Sequence, residues 1–158
     1  MSQTIPMTPQ GYQSLQDELK HLIRVERPKV VQDIAEARDH GDLSENAEYD
    51  AAKERQGFIE GRIAEINGKL ARAHVINPSE ISSEKVVFGA KVTLFDTDNG
   101  NEVTYRIVGE EEADIKKGMI SINSPVAKAL IGHIVDDEVN IKVPSGIRTY
   151  EIIDIHYE

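Results

Sequence analysis

The chain has 158 residues, 39% of them hydrophobic, which suffices for one compact domain or for two small ones with a modest core in each. It contains no cysteine, so disulfide scaffolds, thiolate metal sites and thiol nucleophiles are excluded. A net charge of −10, with the larger acidic excess beyond residue 78, disfavours counterion-driven binding to duplex DNA and confines any positive surface to the N-terminal half.

The first ten residues, "MSQTIPMTPQ", carry no basic run followed by an apolar one, and no apolar stretch approaches the ~20 residues of a membrane span. The expectation is a soluble, cytoplasmic protein. From Pro9 to about His74 the apolar residues keep helical spacing: Tyr12, Leu15, Leu19 and Leu22, then Val30, Ile34 and Ala37. Thr8 and Pro9 supply an N-cap and a proline at the first helical position. Pro28, inside this pattern, predicts a kink near Val25 to Pro28 rather than a break.

A second run, Ala52, Gln56, Ile59, Ile63, Ile66, Leu70 and Ala73, alternates steps of four and three in the manner of a coiled-coil seam. His40 and Gly41 interrupt the pattern between the two seams, which predicts a long antiparallel hairpin with arms on the order of 45 Å. Pairing arms of similar length sets Leu22 near Lys69 and Leu70, and Ile34 near Gly57 and Phe58.

Asn77 and Pro78 are expected to close the helix, and "SEISSE" reads as a linker, giving an N-terminal domain 1–78 and a C-terminal domain 79–158. Beyond it the period becomes two, in residues 90–96, 102–108, 138–143 and 148–157, with "DNGN" and "PSGI" as turns. The segment "NSPVAKALIG" has Ser124 as N-cap, Pro125 at the first helical position and Gly132 past the end, the signature of a short helix. The fold class is therefore α+β, a helical hairpin followed by a small sheet with one helix. Glu110 to Asp114, "EEEAD", reads as a solvated loop, and the five histidines show no metal-ligand spacing.

The hairpin's turn, "RDHGDLSENAEYD", is rich in carboxylates. In one reading Asp42 and Glu45 form a capping box at the start of the second helix, where negative charge is favoured. In another, two carboxylates three residues apart share one face of a turn and offer part of a Mg²⁺ site. Two oxygen donors cannot complete an octahedral shell, so a partner must supply the rest.

The segments "ARDHGDLSENAEYDAAKERQGFIEGRI" and "TYRIVGEEEADIKKGMISINSPVAKALIG" resemble the bacterial transcript cleavage factors of the GreA/GreB family, and the low basic content points to the GreA type. The resemblance implies a coiled coil that enters the secondary channel of bacterial RNA polymerase and an FKBP-like C-terminal domain seated on the channel rim. It implies that Asp42 and Glu45 help hold a Mg²⁺ shared with the polymerase, while the chain alone binds no cofactor. The polymerase itself would hydrolyse the 3′ end of its backtracked nascent RNA. Arg38 and Lys53 match the family's basic patch, and with Arg55 they flank the turn as candidate contacts to RNA or channel wall. Leu43, Ser44, Asn46 and Tyr49 are candidates for positioning the turn, and Asn123, Ser124 and Pro125 match the segment that meets the rim.

Three rivals follow from the same features. A channel-occupying inhibitor of the same family is disfavoured by the intact "GDLSEN". A peptidyl-prolyl isomerase would need an aromatic-lined pocket, and this half has no Trp. A structural coiled-coil adaptor would not need the acids of the turn.

Overall fold

The computed structural model describes residues 4–41 and 46–158. They divide into two compact units, Tyr12–Ala73 and a discontinuous unit made of Thr4–Gly11 with His74–Glu158.

The first unit is a helical hairpin. Helix α1 (Pro9–His21) passes through a π-turn, Leu22–Glu26, into α2 (Arg27–Asp39), and α3 (Ala47–Ala71) returns. Leu15, Val30, Ile34 and Ala37 of the first seam and Ala52, Ile59, Ile63 and Ile66 of the second are all buried, as the spacing predicts. Pro28 does not break the helix: His21, Glu26 and Arg27 keep right-handed helical dihedrals, and the Arg27 amide donates to the Leu22 carbonyl five residues back. The wider turn answers the proline, which cannot donate and whose ring presses on the carbonyl four residues earlier.

The pairing of the arms differs from the expected register. Asp33 meets Arg55, and Arg27 forms a fork with Glu60, its Nη2 at 2.8 Å from Oε1. Phe58, beside the seam residue Ile59 but off its face, is 71% exposed. Leu22 packs with Leu19 on Val30, Ile59 and Ile63. The cause is the position of the turn, which lies between Asp39 and Ala47, earlier in the chain than the pairing assumed. Gly41 fixes that stop, since its φ of 128° is one that only glycine adopts freely.

Helix α3 also ends sooner than Asn77–Pro78. Residues Ala73–Val75 form β2, paired with β1 (Ile5–Met7), and the Ile76 amide donates to the Met7 carbonyl at 2.8 Å. Strands of three residues leave no period to read.

In the second unit, β3 (Lys91–Asp96), β4 (Glu102–Val108), β5 (Met119–Ser121), β6 (Glu138–Val143) and β7 (Gly146–His156) form one sheet ordered β5-β4-β3-β7-β6. All neighbours are antiparallel except β4 and β5, and a bulge between Thr93 and Leu94 shifts the β3–β7 register. Helix α4 (Pro125–Leu130) covers the inner face, where Val92, Leu94, Ile107, Leu130 and Ile152 are fully buried. The four strands and the helix read from the sequence are present. The short β5 leaves no period to read, since its pairing with β4 covers only three residues.

The N-terminus of α1 is tied into this second unit. Thr8 caps the helix, its Oγ1 accepting the Gly11 N–H at 3.1 Å. A capping box would place an acidic side chain at position 11 to accept the cap residue's own N–H. Gly11 has none, and Glu112 takes that place from a distant turn. Its carboxylate accepts the Thr8 N–H at 3.0 Å, the Thr8 hydroxyl, and the Gly109 N–H at 3.2 Å. The segment expected to be a solvated loop is thus an anchor, because the 3₁₀ turn Glu110–Glu112 sends Glu112 inward.

Asp96 is the inward-facing residue at the end of β3 and is buried. Its Oδ1 accepts the Asp98 N–H at 2.9 Å, and its Oδ2 accepts from Arg148 at 2.8 Å. The Asp98 amide first, and the Arg148 guanidinium after desolvation is set against it, hold this carboxyl below the usual carboxylate range. A depressed folded-state pKa stabilises the fold above the unfolded value of about 3.9 and loses that contribution as pH falls through the folded one. Asp96→Asn should therefore lower the urea midpoint at pH 7. The gap to wild type should close on acidification well below pH ~4, which parallel urea titrations would measure.

Candidate functional site

The turn between α2 and α3 is built from both helix ends. At the end of α2, the His40 and Gly41 amides turn back to the Ala37 and Arg38 carbonyls at 3.2 and 3.5 Å. At the start of α3 the N-cap is Asn46, in extended conformation, whose Oδ1 accepts the Tyr49 N–H at 3.1 Å. The cap of α3 belongs to Asn46, because the helix begins at Ala47 and Asn caps as well as Asp, while the expected capping box of Asp42 and Glu45 falls outside the described residues. The signal was present as an Asn directly before the run "AEYDAA".

The Asn46 Nδ2 also donates to the Ala37 carbonyl at 2.5 Å, across the hairpin. Two further contacts join the same turns. The Arg38 guanidinium lies 5.9 Å from the Tyr49 ring centroid, and His40 Nδ1 lies 2.8 Å from Glu48 Oε2.

Asp42, Leu43, Ser44 and Glu45 lie outside the described residues. Of the basic residues flanking them, Lys53 donates to Gln56 Oε1 at 3.1 Å, and Arg55 is paired with Asp33. Both Arg38 and Lys53 are exposed. Among the described residues no group of three or more His, Asp or Glu side chains could hold a metal ion. No described helix is long and apolar enough to cross a membrane.

In the second unit Asn123, Ser124 and Pro125 form the entry to α4. Ser124 Oγ accepts the Ala127 N–H at 3.2 Å, Pro125 opens the helix, and the Asn123 amide donates to Ser121 Oγ at 3.0 Å. Asn123 and Pro125 are exposed.

Residues 5–75 match the family described as transcription elongation factor, N-terminal, and residues 81–157 match transcription elongation factor, GreA/GreB, C-terminal. The chain belongs to the GreA/GreB family of transcription elongation factors. The transcription elongation factor GreA of Syntrophotalea carbinolica is 72% identical over 157 residues, covering 99% of this chain and 99% of its own. That of Pelobacter propionicus is 69% identical over 158 residues, covering 100% of each. Among solved structures, GreA factor homolog 1 of Thermus thermophilus aligns at 29% identity over 98% of this chain and 99% of that one, with a TM-score of 0.45. The GreA/GreB match takes in the hairpin and the sheet alike, and within it the stretch "GDLSEN" spans the turn from Gly41 to the Asn46 cap.

Proposed function

We propose that this GreA/GreB chain binds bacterial RNA polymerase during elongation, enters its secondary channel, and stimulates the enzyme's hydrolysis of backtracked nascent RNA. One observation carries the reading: "GDLSEN", with its two carboxylates, stands at the turn of a two-helix hairpin in a chain matched along its length by elongation factors. Asp42 and Glu45 would hold a Mg²⁺ shared with polymerase carboxylates, since two hard oxygen donors suit that ion and leave most of its shell to a partner. When bound there, the ion supplies water activation and charge neutralisation.

The chain's own contribution is presentation. The hairpin seam carries the turn on two helices that brace each other, and Arg38 and Lys53 offer positive charge to RNA on either side of the acids. Asn123, Ser124 and Pro125 are the proposed contact with the polymerase rim. The chain has no claim on duplex DNA.

The test separates the chain from its partner. Purified protein freed of metal and resupplied with Mg²⁺ should leave RNA intact, whereas a stalled, backtracked polymerase should shorten its transcript faster when the protein is added. RNA degradation by the protein alone, with no gain by the polymerase, would overturn the proposal.

A further inference from the structure

The turn is closed by one residue that touches backbone at both ends. We propose that Asn46 is a positioning residue for the cleavage function, holding the first turn of α3 to the last turn of α2 and so fixing the two helix ends between which Asp42 and Glu45 run. This inference rests on the function proposed above.

The geometry demands a carboxamide. Oδ1 accepts from the Tyr49 N–H on its own helix, and Nδ2 donates to the Ala37 carbonyl on the other. Only a planar group with an acceptor on one atom and donors on the other makes both bonds. An Asp caps equally well and gains from the helix dipole, but it has no donor and would set a carboxylate against a carbonyl. A Ser also caps and is too short to reach across.

The neighbouring ties are of a different kind. His40 and Glu48 are 62% and 68% exposed, so their pairing is weak and open to solvent. Arg38 over Tyr49 depends on two long side-chain rotamers. Asn46 is half-buried, and Ala37 is 2% exposed. Because its bonds end on main-chain atoms, they set the path of the backbone itself.

Asn46→Asp and Asn46→Ser keep the cap and remove the cross-hairpin bond, so both variants should stay folded and helical. Full-length wild type, both variants and Asp42→Asn would be titrated against a stalled, backtracked polymerase. The factor concentration giving half-maximal stimulation should stay within about twofold for the Asn46 variants. Their plateau rate should fall by about tenfold to a hundredfold, the scale at which a misplacement of roughly 1 Å acts. A plateau at the wild-type level, or a loss that appears only as weaker binding, would overturn the positioning role. NMR of the free protein reads the staple independently. The Asn46 side-chain amide protons should be protected from exchange in wild type, and unprotected protons would sink the proposal. Wild-type cleavage by Asp42→Asn with protected Asn46 protons would instead indict the metal reading and leave the staple standing.

Discussion

Replacing Asp42 by Asn and Glu45 by Gln is expected to lower stimulated RNA cleavage by on the order of a hundredfold or more, the scale on which a single strong electrostatic contact in a transition state is felt. A carboxamide is neutral and a poorer ligand for a hard cation, so the exchange removes charge while keeping size. The structure sharpens the control. The cap of α3 is supplied by Asn46, so neither substitution touches it. Thermal melting should move by less than the equivalent of ~1 kcal/mol, most of it from charge near a helix end. The double variant should still occupy the polymerase and compete with wild type. Cleavage rates at saturating factor, beside the melting curves, decide the matter. Near-wild-type rates would end the metal role of the turn.

The second large effect concerns Glu112. Glu112→Ala removes the acceptor of the Thr8 N–H, the Thr8 hydroxyl and the Gly109 N–H, and Thr8 is only 5% exposed, so water cannot readily replace it. Leaving such donors unpaired should cost about 2–4 kcal/mol. Glu112→Gln keeps an acceptor oxygen and should lose less. Gly11→Ala provides the complementary test. Alanine normally gains up to about 1 kcal/mol over glycine in a helix. Here a Cβ at position 11 would run into the Glu112 carboxylate, so the substitution should destabilise instead. Urea unfolding with residue-resolved hydrogen exchange would locate the loss in β3 to β7 and leave the α2–α3 seam protected. Unchanged stability of Glu112→Ala would show that the anchor contributes nothing.

The hairpin and the sheet were legible because each carries its own period: three and four for Leu15 to Ile66, two for Val92, Leu94 and the strands that follow. The α4 helix was legible from punctuation alone, with Ser124, Pro125 and Gly132 at its ends. What escaped was tertiary. A π-turn at Leu22–Glu26 leaves no mark on hydrophobic spacing beyond the proline that provokes it. The arm register depends on where the turn is centred, and a stop at Gly41 sets Arg27 against Glu60 and Asp33 against Arg55. Glu112 belongs to an acidic run like any other in sequence, and only a missing side chain at Gly11 hints that something else must fill its place. Between α2 and α3 the acids were visible as composition, whereas the bond from Asn46 to Ala37 joins a side chain to a backbone atom and has no sequence signature.

The discontinuity of the second unit sets an order of events while the chain is being made. Thr8 must wait for Glu112, 104 residues later, while Arg27 finds Glu60 after 33. At ribosomal speeds of roughly 5–20 residues per second, the Thr8 cap remains without its carboxylate partner for on the order of 5–20 s after it is synthesised. Loop-closure entropy also rises with separation, so the hairpin has both the earlier and the less costly closure. The nascent chain can therefore complete its helical hairpin before the sheet exists, with Thr8, later 5% exposed, waiting for its carboxylate until Glu112 arrives.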